Sequence, residues 1–397
     1  MGYILLLKVL QIESFGPGPG QACDEVGTGR MEMSGSTSPR MSASELAAVL
    51  GTEAQPFVLD VREQDEFDAW SIPGAYLIPL GELGARLAEI PTDQQILTVC
   101  AAGARSAAAA DALRGAGFNV KDLAGGMGSW ATVYDAVTIE LSRATVVQVR
   151  RRSKGCLSYL IGAGDSAIVI DPSTDVERYV EIAEQFGWRI SVVMDTHLHA
   201  DHLSGARKLA KLTGADIKLN PLDTFDFDYV PLQDNEVIAL SGGAEITVHA
   251  LSTPGHTMGS TVYTIDGEAV ITGDTLFIDG VGRPDLAERA AEFASNLFDS
   301  LHNRVLVLDP SALILPAHYG MEQVVLPDQP VTATIGKVKS DLEPLKLSKD
   351  DFIGWAAARA TERPPNYAEI IRANMGRSSQ SLDFLSMLEV GPNRCSA

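Results

Sequence analysis

Three of the chain's seven histidines fall within six consecutive residues, and this cluster constrains the fold more than any other feature of the sequence. It reads His197-Leu198-His199-Ala200-Asp201-His202. The apolar run Ile190 to Met194 precedes it, and a helical pattern beginning at Ser204 follows. This order predicts a loop at the end of a strand, where ligand side chains converge without occupying core space. The fold must therefore arrange a strand, this loop and a helix around one polar site.

Three more residues with ligand-type side chains follow strand-like runs further along the chain. His256 lies in Thr-Pro-Gly-His-Thr, Asp274 in Gly-Asp-Thr, and His318 in Pro-Ala-His-Tyr-Gly. Neutral imidazoles and carboxylates are the ligands that borderline and first-row metals prefer. We therefore predict a metal site built from the cluster and these three residues. The two remaining histidines, His249 and His302, stand alone and are predicted to be structural.

The chain is long enough for more than one folded domain, because 397 residues exceed what a single compact core usually holds. Residues 1–40 are rich in Gly, Pro, Ser and Met and are predicted to be disordered. Residues 41–135 alternate strand and helix patterns, which indicates a small α/β domain with a mainly parallel sheet. Residues 140–345 favour a sheet-on-sheet core flanked by helices. Residues 346–397 are predicted to form one helix and a tail.

Charge and hydropathy exclude two classes of partner. With 31 Lys and Arg against 52 Asp and Glu, the net charge of -21 repels phosphate backbones. The early apolar stretch, Tyr3 to Leu7, falls far short of the roughly 20 residues that a membrane span needs and lacks the features of a signal peptide. The four cysteines are scattered and form no disulfide framework. We expect a soluble cytoplasmic protein, by default a homodimer, with neither nucleic acid nor membrane as partner.

A second reactive group is predicted at Cys100. This residue ends an apolar strand and is followed by Ala-Ala-Gly-Ala, then Arg105 and an Ala-rich helix. The backbone N–H groups of such a loop, the helix dipole and Arg105 can stabilise a thiolate or a persulfide. Cys100 is therefore a candidate sulfur carrier with Arg105 as its partner. Cys156, in contrast, falls in a strand pattern and is predicted to be a packing residue.

Residues 42 to 133 resemble a rhodanese-like domain. The resemblance rests on the Cys100 loop, on Asp60-Val61-Arg62, on the turn Ile72-Pro73-Gly74-Ala75 and on the segment Leu123 to Trp130. Four residues separate Cys100 from Arg105, as in the sulfur-transferring members, whereas the related phosphatases have five. The resemblance implies an α/β fold and a Cys100 persulfide that exchanges sulfur with thiosulfate or sulfite.

The histidine cluster, together with His256, Asp274 and His318, resembles the metal-binding motifs of the metallo-β-lactamase superfamily, which appear in the same order over roughly residues 145 to 345. This resemblance implies an αββα sandwich with a metal site at one edge of its two sheets. Within the superfamily, the stretch Gly273 to Leu286, which contains Gly282-Arg283-Pro284-Asp285, looks like the persulfide dioxygenases. In that family one Fe(II) per chain is held by the positions that match His197, His256 and Asp274.

The resemblance to persulfide dioxygenases implies that O₂ oxidises a low-molecular-weight thiol persulfide to sulfite and free thiol. Two histidines and one carboxylate form the facial triad of non-haem Fe(II) oxygenases, which leaves positions open for O₂ and substrate. Arg283 is the expected contact for a carboxylate of the thiol carrier. The other ligand-type residues would orient the ligands and move protons. They are His199, Asp201, His202 and His318.

Two alternatives stay open at the level of sequence. The first is a dinuclear zinc thioester hydrolase resembling glyoxalase II, for which all seven ligand residues are present. In that case His197, His199, His256 and Asp274 would hold one zinc, and Asp201, His202, Asp274 and His318 would hold the other. The second alternative is a non-catalytic sulfur relay, in which Cys100 serves a partner protein and the metal is structural. Metal content and O₂ uptake distinguish the dioxygenase from the hydrolase, and capture of a partner protein by a Cys100 persulfide would favour the relay.

Overall fold

The computed structural model describes residues 39–240, 246–284, 289–320, 325–359 and 366–389. The segment predicted to be disordered lies outside the described residues except for its last two positions, and Asp285 of the Arg283 motif also lies outside them. The chain forms two compact units, which are divided between Asp135 and Ala136. In the part of the chain that is described, no helix is long and apolar enough to cross a membrane.

The first unit is an α/β domain with a parallel sheet. Its strands, within the described residues, are β1 (Arg40–Met41), β2 (Phe57–Asp60), β3 (Tyr76–Leu77), β4 (Ile96–Val99) and β5 (Val120–Leu123). Its helices are α1 (Ala43–Val49), α2 (Gln64–Ala69), α3 (Ala104–Gly115) and α4 (Gly126–Trp130). The strand order is β1-β5-β4-β2-β3, and each neighbouring pair is parallel. The predicted α/β rhodanese-like fold is thereby confirmed.

Successive side chains of the central strands point to opposite faces of this sheet, and helices cover both faces. Val58 and Leu97 lie in a hydrophobic cluster that includes residues of α1 and α4. Their neighbours Leu59 and Ile96 point to the opposite face and lie in a second cluster with residues of α3. A parallel sheet is stable only when helices bury both faces, and these two clusters provide that burial.

The second unit contains two sheets. Among the described residues, the strands of the first sheet are β6 (Tyr134–Glu140), β7 (Thr145–Arg151), β8 (Cys156–Ala163), β9 (Ser166–Ile170), β10 (Arg189–Met194), β11 (Asp216–Leu219) and β12 (Val230–Pro231). Those of the second sheet are β13 (Val237–Leu240), β14 (Ile246–Ser252), β15 (Thr261–Ile265), β16 (Ala269–Gly273), β17 (Leu313–Pro316) and β18 (Ala333–Thr334). The first sheet runs from β12 to β6 in reverse chain order, and the second from β13 to β18 in chain order.

The two sheets share one core and carry helices on their outer faces. Tyr159 and Ile168 of the first sheet lie in the same hydrophobic cluster as Tyr263 and Ile271 of the second. Helices α5 (Val176–Phe186) and α6 (Ala206–Thr213) contact β10 of the first sheet. Helices α7 (Ala290–Ser300), α8 (Ile335–Asp341) and α9 (Lys349–Ala357) share a second cluster with β15 and β16. This αββα sandwich confirms the predicted fold class.

The predicted C-terminal region is wrong in one respect. The sequence predicts one helix and a tail over residues 346–397, whereas the structure contains two helices after α9, namely α10 (Tyr367–Asn374) and α11 (Leu382–Leu388). Ile370 and Ala373 of α10 and Leu385 of α11 form a small buried cluster with Leu203. Both helices are short, with eight and seven residues, so each spans only about two turns and tertiary contacts stabilise it.

Candidate metal centre and sulfur-carrier loop

The three predicted metal ligands and the four residues predicted to support them or to hold a second metal all lie on loops that follow strands, and all seven are buried. The histidine cluster follows β10, and the other ligands follow β14, β16 and β17. Burial of so many ionisable side chains requires that they be paired or bind a metal. The structure divides them into three neighbouring groups.

The first group consists of His197, His256 and Asp274, whose ligand atoms lie within 4.8 Å of one another. The Nε2 atoms of His197 and His256 are 3.8 Å and 3.4 Å from Asp274 Oδ2. His197 Nε2 and both oxygens of Asp274 have no hydrogen-bond partner among the described residues. Buried polar atoms rarely lack partners, so two nitrogens and a carboxylate at these distances fit one metal ion.

The remaining ring nitrogens of these histidines are held by hydrogen bonds that orient the rings. His197 Nδ1 lies 2.9 Å from Thr196 Oγ1. His256 Nδ1 lies 2.8 Å from the carbonyl oxygen of Arg283 and can donate a proton to it. A partner on Nδ1 favours the tautomer that leaves Nε2 free for a metal. Both imidazoles are therefore oriented for metal binding.

The Gly282-Arg283 motif contacts the metal ligands through its backbone. A Cβ atom at Gly282 would lie 1.8 Å from the carbonyl oxygen of Asp274, a distance that no side chain tolerates. Glycine there lets the chain fold back so that the carbonyl of Arg283 reaches His256. The Arg283 side chain is buried. The motif thus supports the metal ligands, a role that its sequence does not indicate.

The second group contains Asp201, His202 and His318 together with Cys156. His318 Nε2 lies 3.5 Å from Asp201 Oδ2 and 3.3 Å from Asp274 Oδ1, so it stands between two ligand carboxylates. His202 Nδ1 lies 3.1 Å from Asp201 Oδ1. Cys156 Sγ is 3.7 Å from Asp201 Oδ2. The packing role predicted for Cys156 is incomplete, because its backbone bridge to His318 brings the thiol into this group.

The third group pairs His199 with two carboxylates that the sequence analysis missed. His199 Nε2 lies 3.0 Å from Asp171 Oδ1 and 4.0 Å from Asp195 Oδ1. Asp171 also accepts hydrogen bonds from the backbone N–H and the hydroxyl of Thr196, at 2.6 Å and 2.9 Å. One carboxylate therefore holds both His199 and the residue before His197. Asp171 follows the apolar strand β9 and Asp195 follows the apolar strand β10. Their position directly after a strand is the feature by which the sequence could have identified them as site residues.

Burial and mutual charge set the protonation of the site. Burial lowers the pKa of His197 well below its ordinary value, and nearby His199 and His256 lower it further. Burial acts to raise the pKa of Asp201, but His318 and His202 outweigh it and hold that pKa well below its ordinary value. Burial acts to lower the pKa of His318, but Asp274 and Asp201 outweigh it and raise that pKa to about 9. A neutral His197 can bind a metal without first releasing a proton, whereas a protonated His318 must release one.

The Cys100 loop joins β4 to α3 and surrounds the thiol with hydrogen-bond donors. Gly103 has a positive φ of 97° and donates its N–H to Cys100 Sγ at 3.1 Å. Ser106 Oγ lies 3.5 Å from the sulfur. Burial acts to raise the pKa of Cys100, but hydrogen bonds from Ser106 and from the N–H groups of Ala102 and Gly103 outweigh it and lower that pKa. The loop therefore favours the thiolate.

The segment Leu123 to Trp130 contacts the Cys100 loop through its backbone. Met127 donates its N–H to the carbonyl oxygen of Cys100 at 2.8 Å. A Cβ atom at Gly126, where φ is +59°, would lie 2.2 Å from the same oxygen. The glycines of this segment therefore permit the backbone contact that holds the Cys100 loop in place.

Arg105 forms an ion pair with Glu66, and its predicted electrostatic support of the Cys100 thiolate stays a prediction. Its two terminal nitrogens each donate to a carboxylate oxygen of Glu66 at 2.7 Å. These hydrogen bonds from Arg105 are the main reason that the pKa of Glu66 is lowered to about 2. Backbone N–H groups and Ser106 make the hydrogen bonds that lower the pKa of Cys100, while the bidentate carboxylate contact holds the guanidinium of Arg105.

Comparisons with known families match both units. The family model described as "Metallo-beta-lactamase superfamily" matches residues 152–318. The family model described as "Rhodanese-like domain" matches residues 42–132. The rhodanese-like match thus precedes the metallo-β-lactamase match along the chain.

Individual proteins give similar results. Persulfide dioxygenase ETHE1, mitochondrial, from Bos taurus is 31% identical over 230 residues, which cover 56% of this chain and 84% of that protein. Hydroxyacylglutathione hydrolase from Acidiphilium cryptum is 34% identical over 163 residues, 41% of this chain and 63% of the hydrolase. The crystal structure of ETHE1 from Myxococcus xanthus matches with a TM-score of 0.50 and 25% identity, and covers 57% of this chain and 96% of that one.

Proposed function

The chain belongs to the metallo-β-lactamase superfamily as a persulfide dioxygenase-like member with an N-terminal rhodanese-like domain, and from this premise we propose that it oxidises thiol persulfides. The proposed reaction converts RSSH, O₂ and H₂O into RSH, sulfite and two protons. In it the terminal sulfur loses the four electrons that O₂ gains, and the sulfur–sulfur bond breaks so that the thiol is released.

The buried group of His197, His256 and Asp274 carries the proposal. Two imidazoles and one carboxylate are the donor set of mononuclear non-haem iron oxygenases. One Fe(II) held there would supply electrons to O₂ and open coordination positions for O₂ and an anionic sulfur group. The three atoms that lack hydrogen-bond partners, His197 Nε2 and both Asp274 oxygens, support this assignment.

The neighbouring side chains orient these ligands and manage protons. Asp171 holds His199 and Thr196 in place by hydrogen bonds. His318 Nε2, between carboxylates of Asp201 and Asp274, is positioned to hold one of the protons released with the product. We propose that Arg283 binds the carboxylate of the thiol carrier, because a guanidinium binds a carboxylate through two parallel hydrogen bonds.

Cys100 would supply the persulfide. Its thiolate attacks the outer sulfur of thiosulfate, the sulfur–sulfur bond of thiosulfate breaks, and sulfite leaves as the Cys100 persulfide forms. A low-molecular-weight thiol then takes this sulfur and restores the Cys100 thiolate. The reverse sequence, from persulfide and sulfite to thiosulfate, uses the same groups. The lowered pKa of Cys100 supports either direction, because the thiolate is the nucleophile.

A dinuclear zinc thioester hydrolase is the second candidate function. Asp201, His202 and His318 form a buried group beside Asp274, so the ligands of a second metal are present. The similarity to the hydroxyacylglutathione hydrolase also favours it. This enzyme would contain two zinc ions per chain and would consume no O₂.

Anaerobic purification, metal analysis and O₂ uptake on glutathione persulfide and coenzyme A persulfide test the proposal. We expect about one iron per chain and one sulfite per O₂ consumed. His197→Ala should lose both iron and O₂ uptake, whereas the control His249→Ala, on β14 outside the three groups, should keep both. Two zinc ions and thioester hydrolysis without O₂ uptake would contradict the proposal and favour the hydrolase.

The same assay tests the role assigned to Arg283. Arg283→Ala should raise KM for glutathione persulfide, whose carrier has carboxylates, more than for the persulfide of cysteamine, which has none. Equal effects on the two substrates would exclude the carboxylate contact and leave Arg283 with the backbone role that its carbonyl has at His256.

The compartment and the oligomeric state are parts of the proposal that need separate measurements. The Bos taurus relative is a mitochondrial protein by its name, whereas the sequence predicts the cytoplasm. Cys100 and Cys156 are both free thiols, which fits a reducing compartment. Cell fractionation tests the location, and light scattering of the purified chain tests the homodimer.

A further inference from the structure

Helix α10 packs against the loop that carries the histidine cluster. Tyr367, in its first turn, shares a small apolar cluster with Ala200 of the loop. Ile370 and Ala373, one and two turns later, share another with Leu203. Helix α10 therefore covers Ala200 and Leu203 of the loop. This contact holds the loop but does not by itself determine the positions of its ligands.

The last residue of α10, Asn374, is hydrogen-bonded to three backbone groups of the same loop. Its amide nitrogen donates to the carbonyl oxygens of His199 and His202, at 2.9 Å and 2.8 Å. Its amide oxygen accepts the N–H of Ser204 at 3.0 Å. The side chain is only 7% exposed. Buried backbone groups need partners, and one side chain here satisfies three of them.

Two of these hydrogen bonds act on His199 and His202, the histidines before and after Asp201 in the loop. His199 belongs to the group with Asp171, and His202 belongs to the group with Asp201 and His318. Because a carbonyl oxygen is rigidly tied to its own Cα atom, a bond at each carbonyl restrains where both imidazoles and the carboxylate between them can lie. Glu389 adds to this restraint by accepting the N–H of Leu203 at 2.8 Å.

We infer that Asn374 is a positioning residue of the metal centre, through which α10 controls metal affinity and ligand geometry. It belongs to none of the three ligand groups and acts through the backbone of His199 and His202. The inference rests on the metal site of the proposed function and is independent of the dioxygenase reaction. Metal binding therefore tests it even if the chain consumes no O₂.

Co(II) titration of the metal-free full-length chain provides the test, because both the affinity and the visible spectrum of Co(II) report ligand geometry. Asn374→Ala should weaken Co(II) binding by about 10-fold, as is typical when a group that supports a metal site is removed, because His197, a ligand of the proposed site, lies two residues before His199 in the same loop. Its Co(II) spectrum should also change. The matched control is Asn366→Ala, which removes a hydrogen bond from α10 to the carbonyl oxygen of Leu388 in α11 and should leave Co(II) binding unchanged.

The Asn374→Asp variant distinguishes an effect of the lost hydrogen bonds from an effect of lost side-chain packing. The aspartate keeps the shape and the oxygen that accepts from Ser204 but cannot donate to the two carbonyls when ionised, so it should weaken Co(II) binding as alanine does. Wild-type Co(II) affinity and spectrum in Asn374→Asp would overturn the inference. So would an Asn374→Ala variant that melts at a lower temperature yet binds Co(II) normally. If Asn374→Ala does not fold, the comparison of Asn374→Asp with wild type and Asn366→Ala decides.

Discussion

At the scale of single residues, the chemistry of the first unit depends on how a buried thiol is made acidic. Burial alone acts to raise the pKa of Cys100, since it disfavours the thiolate. Ser106 and the N–H groups of the loop more than offset burial. A persulfide formed on Cys100 is also an anion and would accept the same hydrogen bonds. The loop is therefore suited to both states of a sulfur carrier without a cation in contact with the sulfur.

Ser106→Ala should move the pH profile of Cys100 reactivity to higher pH. The hydroxyl of Ser106 lowers the pKa of Cys100, so its removal raises that pKa and reduces the thiolate fraction at every pH below it. The rate of alkylation by iodoacetamide, measured against pH, should show this shift. Rates of variant and wild type should converge at high pH, where both thiols are fully ionised. An unshifted profile would show that Ser106 does not control the ionisation.

At the scale of elements, both sites are built on loops that follow strands and are supported by glycines. Gly126 brings the start of α4 against the carbonyl of Cys100, and Gly282 brings its segment against the carbonyl of Asp274. In each case a side chain would occupy the space where two backbone segments meet. These glycines explain why the loops hold their geometry although loops are usually more mobile than strands.

Gly126→Ala should destabilise the first unit by about 1–3 kcal/mol, because its Cβ would clash with the Cys100 carbonyl and its φ of +59° is strained for alanine. Thermal unfolding of the full-length chain and alkylation of Cys100 measure the two effects, a lower midpoint and altered reactivity. The control is Gly115→Ala at the end of α3, where a Cβ meets nothing within 4 Å. If both variants behave alike, close packing at Gly126 is not important.

At the scale of the whole molecule, the two proposed reactive groups lie in different units among the described residues. Cys100 and the residues that hydrogen-bond to it belong to the first unit, and the metal-type residues belong to the second. A diffusible thiol is chemically sufficient to carry sulfur from one group to the other, because the product of the Cys100 exchange is the substrate proposed for the metal centre.

Full-length Cys100→Ser and full-length His197→Ala should each fail to consume O₂ when supplied with thiosulfate and glutathione. A mixture of the two should regain O₂ uptake, because glutathione persulfide made by one variant reaches the metal centre of the other. The oxygen electrode measures this, and omission of glutathione is the control. If wild type is active and the mixture is not, sulfur does not travel through free solution. Cys100→Ser alone should still oxidise added glutathione persulfide.

Sequence alone determined the two folds and the residues around which both sites are built. The reason is that these features are local: alternating βα patterns, ligands placed directly after strands, and the short loop after Cys100. Such patterns reflect backbone periodicity and turn geometry, which neighbouring residues control. The ligand-type residues of the second unit could therefore be named before their distances were known.

Only the tertiary structure decided which partners these residues have. Glu66 binds Arg105 from 39 positions away, Asp171 holds His199, and Cys156 reaches Asp201. Asn374, in a helix absent from the predicted organisation, binds the backbone of the histidine cluster from more than 170 positions away. Contacts at such separations depend on how the elements pack, and a pattern in neighbouring residues carries no signal of them. The sequence revealed the histidine cluster itself but gave no indication of the residues that hold it in place.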